Sequence, residues 1–338
     1  MDTYFDRFCA AAGVIPLDGE SLGYEDQEEL VNCLRGFMTY AERHASSRKP
    51  GHHIEIGFFS ADEVNAFAAT WEGQDGIAIS WGVVATLREA FMSAMRHPNS
   101  FSWIPTEARD AAGTWLYECS KFFVFLHELG HIWNGHTSLL VHRGVAPFIE
   151  EIRAFGGGEL GNLDRQTMEM DADGFASAGI FSLGVGVMKF PAVHTGIEQE
   201  FGPGATQLAM VSLSIYFVFR LFDEAADFDG EENHAHPSPP LRQLIIAASL
   251  AAASARAGVF EEDNAWQVIL HGMTSAEDVY ARHAQKPSDD AAFQAARSKE
   301  GKKYIDKLLR HWHILHPQLD QLKRGGILPP TQEILDDD

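Results

Sequence analysis

The chain has 338 residues, 45% of them hydrophobic and 22% charged, which are the proportions of a globular protein and exclude a disordered or fibrous class. Its formal net charge of −22 speaks against nucleic acid and anionic lipid as partners, because both need a basic face. The three cysteines, Cys9, Cys33 and Cys119, form no CxxC pair, so a disulfide framework is not expected and a reducing, cytoplasmic setting is.

The first stretch, "MDTYFDRFCAAAGVIPLDGE", is acidic and lacks the basic start and apolar run of a signal peptide. Residues 25–46 read as an amphipathic helix, with Leu30, Leu34, Phe37 and Met38 at helical spacing. "HHIEIGFFS" (52–60) and "GIAIS" (76–80) read as strands. Between them, two readings stay open. Ser60 and Glu63 can form a capping box that opens a helix, or Val64 to Thr70 can be a strand with "EGQDG" turning back to Ile77. A helix is expected from Gly82 to Arg96, ended by Pro98. The next, over 113–134, carries a wide apolar face including Leu116, Phe123, Leu126 and Leu129, with Gly135 placed to stop it. Further helices are expected over 164–183, 206–222 and 239–257, the last with Ser238 as N-cap and Gly258 as stop. The remainder, 259–338, reads as polar and mostly helical. "FGGGELGN" (155–162) and "FDGEENHAHPSPP" (228–240) read as loops.

Residues 201–219, "FGPGATQLAMVSLSIYFVF", are uncharged and near the minimum length of a membrane span. The opening Phe-Gly-Pro-Gly, the polar Gln207, Ser212 and Ser214, and Arg220 at the end favour a buried core helix. No integral membrane segment is expected.

The most informative segment is "FLHELGHIWNGH" (125–136). His127, Glu128 and His131 form HExxH. On a helix, residues one turn apart share a face, so both imidazoles can reach one metal ion. Glu128 is rotated about 100° from His127. It stands beside the metal rather than binding it, where a general base belongs. Chance is the competing explanation, but two histidines and a carboxylate in an apolar helix are costly without partners, and a metal satisfies them. His136 is one position short of the third histidine of HExxHxxxxxH. It is expected to cap the helix end or face solvent. The third ligand should then come from elsewhere. In "MEMDADGFASAGI", Glu169 and Asp173 stand at i and i+4. Glu169 is the favoured ligand, and Asp173 can accept the free N–H of a ligand histidine. Asp171 points to another face. Glu150, Glu151 and Glu159 remain rival ligands. His234, His311, His313 and His316 read as surface or packing residues.

HELGH followed about forty residues later by ExxAD resembles the gluzincin metallopeptidases, and most of all the family containing the CAAX prenyl endopeptidase and the heat-shock protease HtpX. "VNAFAATWEGQDGIAISWG" (64–82) and "HAHPSPPLR" (234–242) match two further segments of that family in order, and the likeness spans roughly 52–257. It implies Zn2+ held by His127, His131 and Glu169, with His236 and Arg242 near the site and His236 stabilising an oxyanion. It also implies that substrate adds as a strand beside the Asn-Ala-Phe segment. The chain departs from the family in lacking clear transmembrane helices and in carrying Ala235 where threonine is common. It is in this respect closer to the phage-exclusion Lit-type peptidases, at the level of motifs.

The expected fold is α+β, mainly α: a zincin-like domain over 51–258 with a small sheet beside the HExxH helix, an N-terminal helical segment (1–50) and a C-terminal one (259–338). The expected function is a zinc-dependent endopeptidase acting on protein or peptide, with Glu128 as general base. The alternative is a non-catalytic zincin-like regulatory or binding protein whose metal is structural.

Overall fold

The computed structural model describes residues 3–43, 53–97, 100–101, 103–145, 148–150, 161–191, 195–222, 234, 236–283 and 291–331. In chain order these form α1 (Tyr4–Ala12), α2 (Tyr24–Arg43), β1 (Ile54–Phe59), β2 (Ala66–Trp71), β3 (Gln74–Ser80), α3 (Trp81–Arg96), α4 (Arg109–Trp133), α5 (His136–His142), β4 (Phe148–Glu150), α6 (Asn162–Gly186), α7 (Gly196–Phe201), α8 (Ala205–Phe222), α9 (Pro239–Arg256), α10 (Glu262–His283), α11 (Ala291–Ala296) and α12 (Lys299–Leu322). The class is α+β, mainly α, as expected from the sequence. Two compact units are interleaved along the chain: residues 1–84, 127–172 and 308–338 form one, and 85–126 and 173–307 the other.

The first unit holds the sheet, of order β1-β3-β2-β4. β1 runs parallel to β3 with Ile56 opposite Ile77, while β2 is antiparallel to both β3 and β4. The ambiguous segment before Ile77 is thus a strand. Its hairpin closes tightly through Glu72 and Gly73, both at positive φ (49° and 78°), which is the turn that matches the twist of paired strands. Glycine supplies the second of these at little cost. β2 is therefore an inner strand, paired on both sides, and its five residues Ala66–Thr70 are buried. The strand at which the resemblance implies substrate addition is flanked on that side by β4, through Phe148 to Glu150.

Helix α1 is opened by a capping box. Thr3 N donates to Asp6 Oδ2 (2.7 Å) and Asp6 N donates to Thr3 Oγ1 (3.1 Å), and these bonds hold the Asp6 carboxyl below its ordinary range. Its apolar face covers the sheet: Phe8 stacks on Phe67, with ring centroids 5.5 Å apart. The rings need glycines beneath them, since a Cβ on Gly76 would lie 2.6 Å from the ring of Phe8.

The second unit is helical. α8 is buried on nearly every side, from Leu208 to Phe219, which explains its lack of charge. No described helix is long and apolar enough to cross a membrane. The two serines that interrupt its apolar run make packing contacts. Ser212 Oγ donates to the Ile269 carbonyl (2.9 Å), Ser214 Oγ donates to Val211 O (2.8 Å), and the Ser214 carbonyl accepts from Ser120 Oγ (3.0 Å). α10 packs closely on α8 because Gly272 faces the Ala209 carbonyl, where a side chain would collide. Arg220 closes α8 by pairing with Glu277 (2.9 Å), which also accepts from Tyr216 Oη (2.8 Å).

Candidate metal centre

Helix α4 carries HExxH in its last two turns, and α6 carries Glu169. The apolar residues around the motif, including Phe125, Leu126, Leu129 and Ile132, are fully buried, and they draw the polar residues between them inward. His127, Glu128, His131 and Glu169 are each 2% exposed or less.

The two imidazoles converge as their spacing predicts. Their Nε2 atoms are 3.0 Å apart, with ring centroids at 4.7 Å. Glu169 closes the triangle, with Oε2 3.3 Å from His127 Nε2 and Oε1 3.4 Å from His131 Nε2. A tetrahedral ion with bonds of about 2.0–2.1 Å holds its donors about 3.3–3.4 Å from each other. The donor set of two imidazoles and a carboxylate and its spacing both fit such an ion. Among the described residues this is the one group of three or more metal-binding side chains converging in this way. A buried His127, His131 and Glu169 group can hold a metal ion. Of the rival carboxylates, Glu150 contributes its backbone to β4, and Glu151 and Glu159 lie outside the described residues.

Compared with protein-family models, curated proteins and solved structures, the chain matches none.

Around the triangle, one part of the sequence reading is corrected. His136 neither caps α4 nor faces solvent: it is fully buried. α4 ends at Trp133, Gly135 takes a left-handed conformation (φ 90°), and α5 restarts at His136. That break swings His136 back onto the motif. Its Nδ1 lies 2.9 Å from His131 Nδ1, and its Nε2 lies 3.0 Å from Asp171 Oδ2. The same Asp171 oxygen accepts from Asn134 Nδ2 at 2.6 Å. Asp171, expected on another face, does face away from Glu169, but toward His136. The signal in the sequence was the Asn-Gly pair at 134–135, which breaks a helix.

The remaining expected site residues belong to the second unit. Asp173 is buried, and both of its oxygens accept from Arg242, through Nε and Nη2, each at 2.8 Å. The Arg242 guanidinium also lies over the Phe219 ring, 4.6 Å from its centroid. His236 is half-buried, just before α9. Of the histidines read as packing residues, His311 bonds Asp164 Oδ1 at 2.6 Å.

Two further features bear on the centre. Burial lowers the pKa of Arg165, one turn before Glu169 on α6, against the opposing pull of Glu169 and Asp164. The end of α4 is held by a later segment: Arg324 N and Gly326 N both donate to the Trp133 carbonyl, at 2.8 and 3.1 Å. Arg324 is itself anchored by Asp75 (3.0 Å) and by Ser138 Oγ (3.1 Å), with Thr70 bonded to Asp75 beneath it (2.7 Å).

Proposed function

We propose that this protein is a zinc-dependent endopeptidase of the gluzincin type, holding Zn2+ through His127, His131 and Glu169. The observation that carries the reading is the buried convergence of the two imidazole Nε2 atoms, 3.0 Å apart, with the Glu169 carboxylate, whose Oε2 is 3.3 Å from one and whose Oε1 is 3.4 Å from the other, with Glu128 next in sequence to His127. HELGH and the Glu169-to-Asp173 pattern support the same assignment by resemblance. A Zn2+ ion, when bound, supplies Lewis acidity to a peptide carbonyl and lowers the pKa of a water. Glu128 cannot turn onto the same point as its neighbour His127, because successive helical residues diverge by about 100°. Its carboxylate takes a proton from the attacking water and delivers it to the leaving amine. Glu128 is 1% exposed, which keeps bulk water from competing for that proton.

The decisive experiment pairs metal analysis with cleavage. Purified protein prepared without chelator should contain one Zn2+ per chain. Glu128→Gln should keep that zinc and lose peptide hydrolysis by about 10²–10⁴-fold. Comparing new N-termini in cells carrying the parent and the variant identifies the substrates. A variant that cleaves as fast as the parent overturns the mechanism.

The near-complete burial of all four residues favours a second reading, a closed metal centre with a structural role. In that case zinc is present, no parent-specific cleavage is found, and Glu128→Gln changes neither.

A further inference from the structure

The metal-facing geometry fixes the protons of one ligand. If His131 offers Nε2 to an ion, that nitrogen carries a lone pair and the ring proton sits on Nδ1. His131 Nδ1 is 2.9 Å from His136 Nδ1, so His131 donates and His136 must accept there. The proton of neutral His136 then sits on Nε2, which is 3.0 Å from Asp171 Oδ2. Asn134 Nδ2 donates to the same oxygen at 2.6 Å and so holds the carboxylate in place. Each bond in the series therefore has one donor and one acceptor, and reversing any of them would set two protons or two lone pairs against each other. All of these groups are at most 3% exposed, so water does not substitute for a lost partner at low cost.

We propose that His136 and Asp171 are positioning residues for the metal ligand His131, acting in series to lock the tautomer that presents Nε2 to the ion. The assignment rests on the metal reading above and deepens it: HExxH is extended by a third imidazole, directly after a glycine-permitted break, and by a carboxylate from α6. Residues that orient a ligand histidine in this way carry part of the affinity for the metal, and their loss typically weakens binding 10- to 100-fold.

The test titrates Zn2+ into metal-free protein against a chromogenic chelator. His136→Phe keeps the ring and removes the acceptor, and is expected to weaken Zn2+ binding by about 10- to 100-fold. Asp171→Asn keeps an acceptor but not the charge and should lose less. Because single variants leave a buried group without its partner, the double variant His136→Phe/Asp171→Leu is the folding control. It removes both members, should fold, and should still bind weakly. Imidazole 15N NMR of the parent gives a readout that a merely structural role would not produce: His131 protonated on Nδ1 and His136 on Nε2. Unchanged Zn2+ affinity in the folded double variant, or His136 protonated on Nδ1, overturns this assignment while leaving the metal reading intact. A parent that takes up no Zn2+ overturns the metal reading itself.

Discussion

Arg242 and Asp173 offer the sharpest energetic test. The guanidinium is 5% exposed and the carboxylate 0%, and two parallel bonds of 2.8 Å join them. Arg242→Met keeps the length of the side chain over Phe219 but removes both of the 2.8 Å bonds that the buried Asp173 carboxylate accepts from Arg242. Breaking a buried pair from one side costs about 3–5 kcal/mol, because the remaining ion has lost its compensation and cannot reach water. With a urea dependence of about 2–3 kcal/mol/M for a unit of this size, the midpoint should fall by about 1–2 M. Arg242→Lys retains the charge without the two-pronged geometry and should fall between the parent and Arg242→Met. Arg242→Met/Asp173→Leu removes both charges and should recover most of the loss, since apolar replacement of a whole buried pair is often neutral or better. Urea unfolding followed by circular dichroism measures all four proteins. If Arg242→Met unfolds with the parent, or the double variant is as unstable as the single, the pair is not the buried, mutually compensating unit described above.

Other outcomes follow from the sheet and the thiols. Gly76→Ala places a methyl 2.6 Å from the Phe8 ring, so α1 must shift, at a cost of about 1–3 kcal/mol; thermal unfolding of the variant measures it, and an unchanged midpoint would mean that α1 does not pack there. Burial pushes the Cys9 thiol up to about 12 and raises Cys119 well above the ordinary range. The sign is fixed by the unfolded chain, where a thiol ionises near about 8.5. Below that pH both states are protonated and the stability is fully present. Above it, the unfolded state alone loses protons, and stability falls by up to about 1.4 kcal/mol per pH unit for each thiol. Replacing Cys119 by alanine should flatten the decline between pH 9 and 10 relative to the parent; equal slopes would contradict the burial argument.

Much of the fold was legible because its helices obey local rules. The apolar periodicity of α2, α4 and α6, and the Ser238, proline and Gly258 signals around α9, locate those elements to within a few residues. The uncharged run at 201–219 was resolved by its own polar residues, of which Ser212 and Ser214 are packing contacts of α8. The segment 64–70 was ambiguous because capping chemistry and strand composition overlap there, and only pairing with β3 and β4 decides between them. β4 was unread, since the three residues Phe148–Glu150 are too few to show a period. The interleaving of the two units rests on contacts distant in sequence, which no local pattern reports. At the centre, His127, Glu128 and His131 were readable because i and i+4 is a property of a single helix. His136 was misread because Gly135 reads as a stop, and no local rule gives the direction in which the chain restarts after it.

The bonds from Arg324 and Gly326 to the Trp133 carbonyl give the protein an order of completion. The helix bearing HExxH is synthesised long before the residues that close its end, and the break that aims His136 lies directly after that carbonyl. A nascent chain that has not yet reached residue 326 therefore carries the three side chains that can hold a metal ion but not the fastening at the end of their helix. The helix bearing HExxH is thus fastened only after most of the chain has been made.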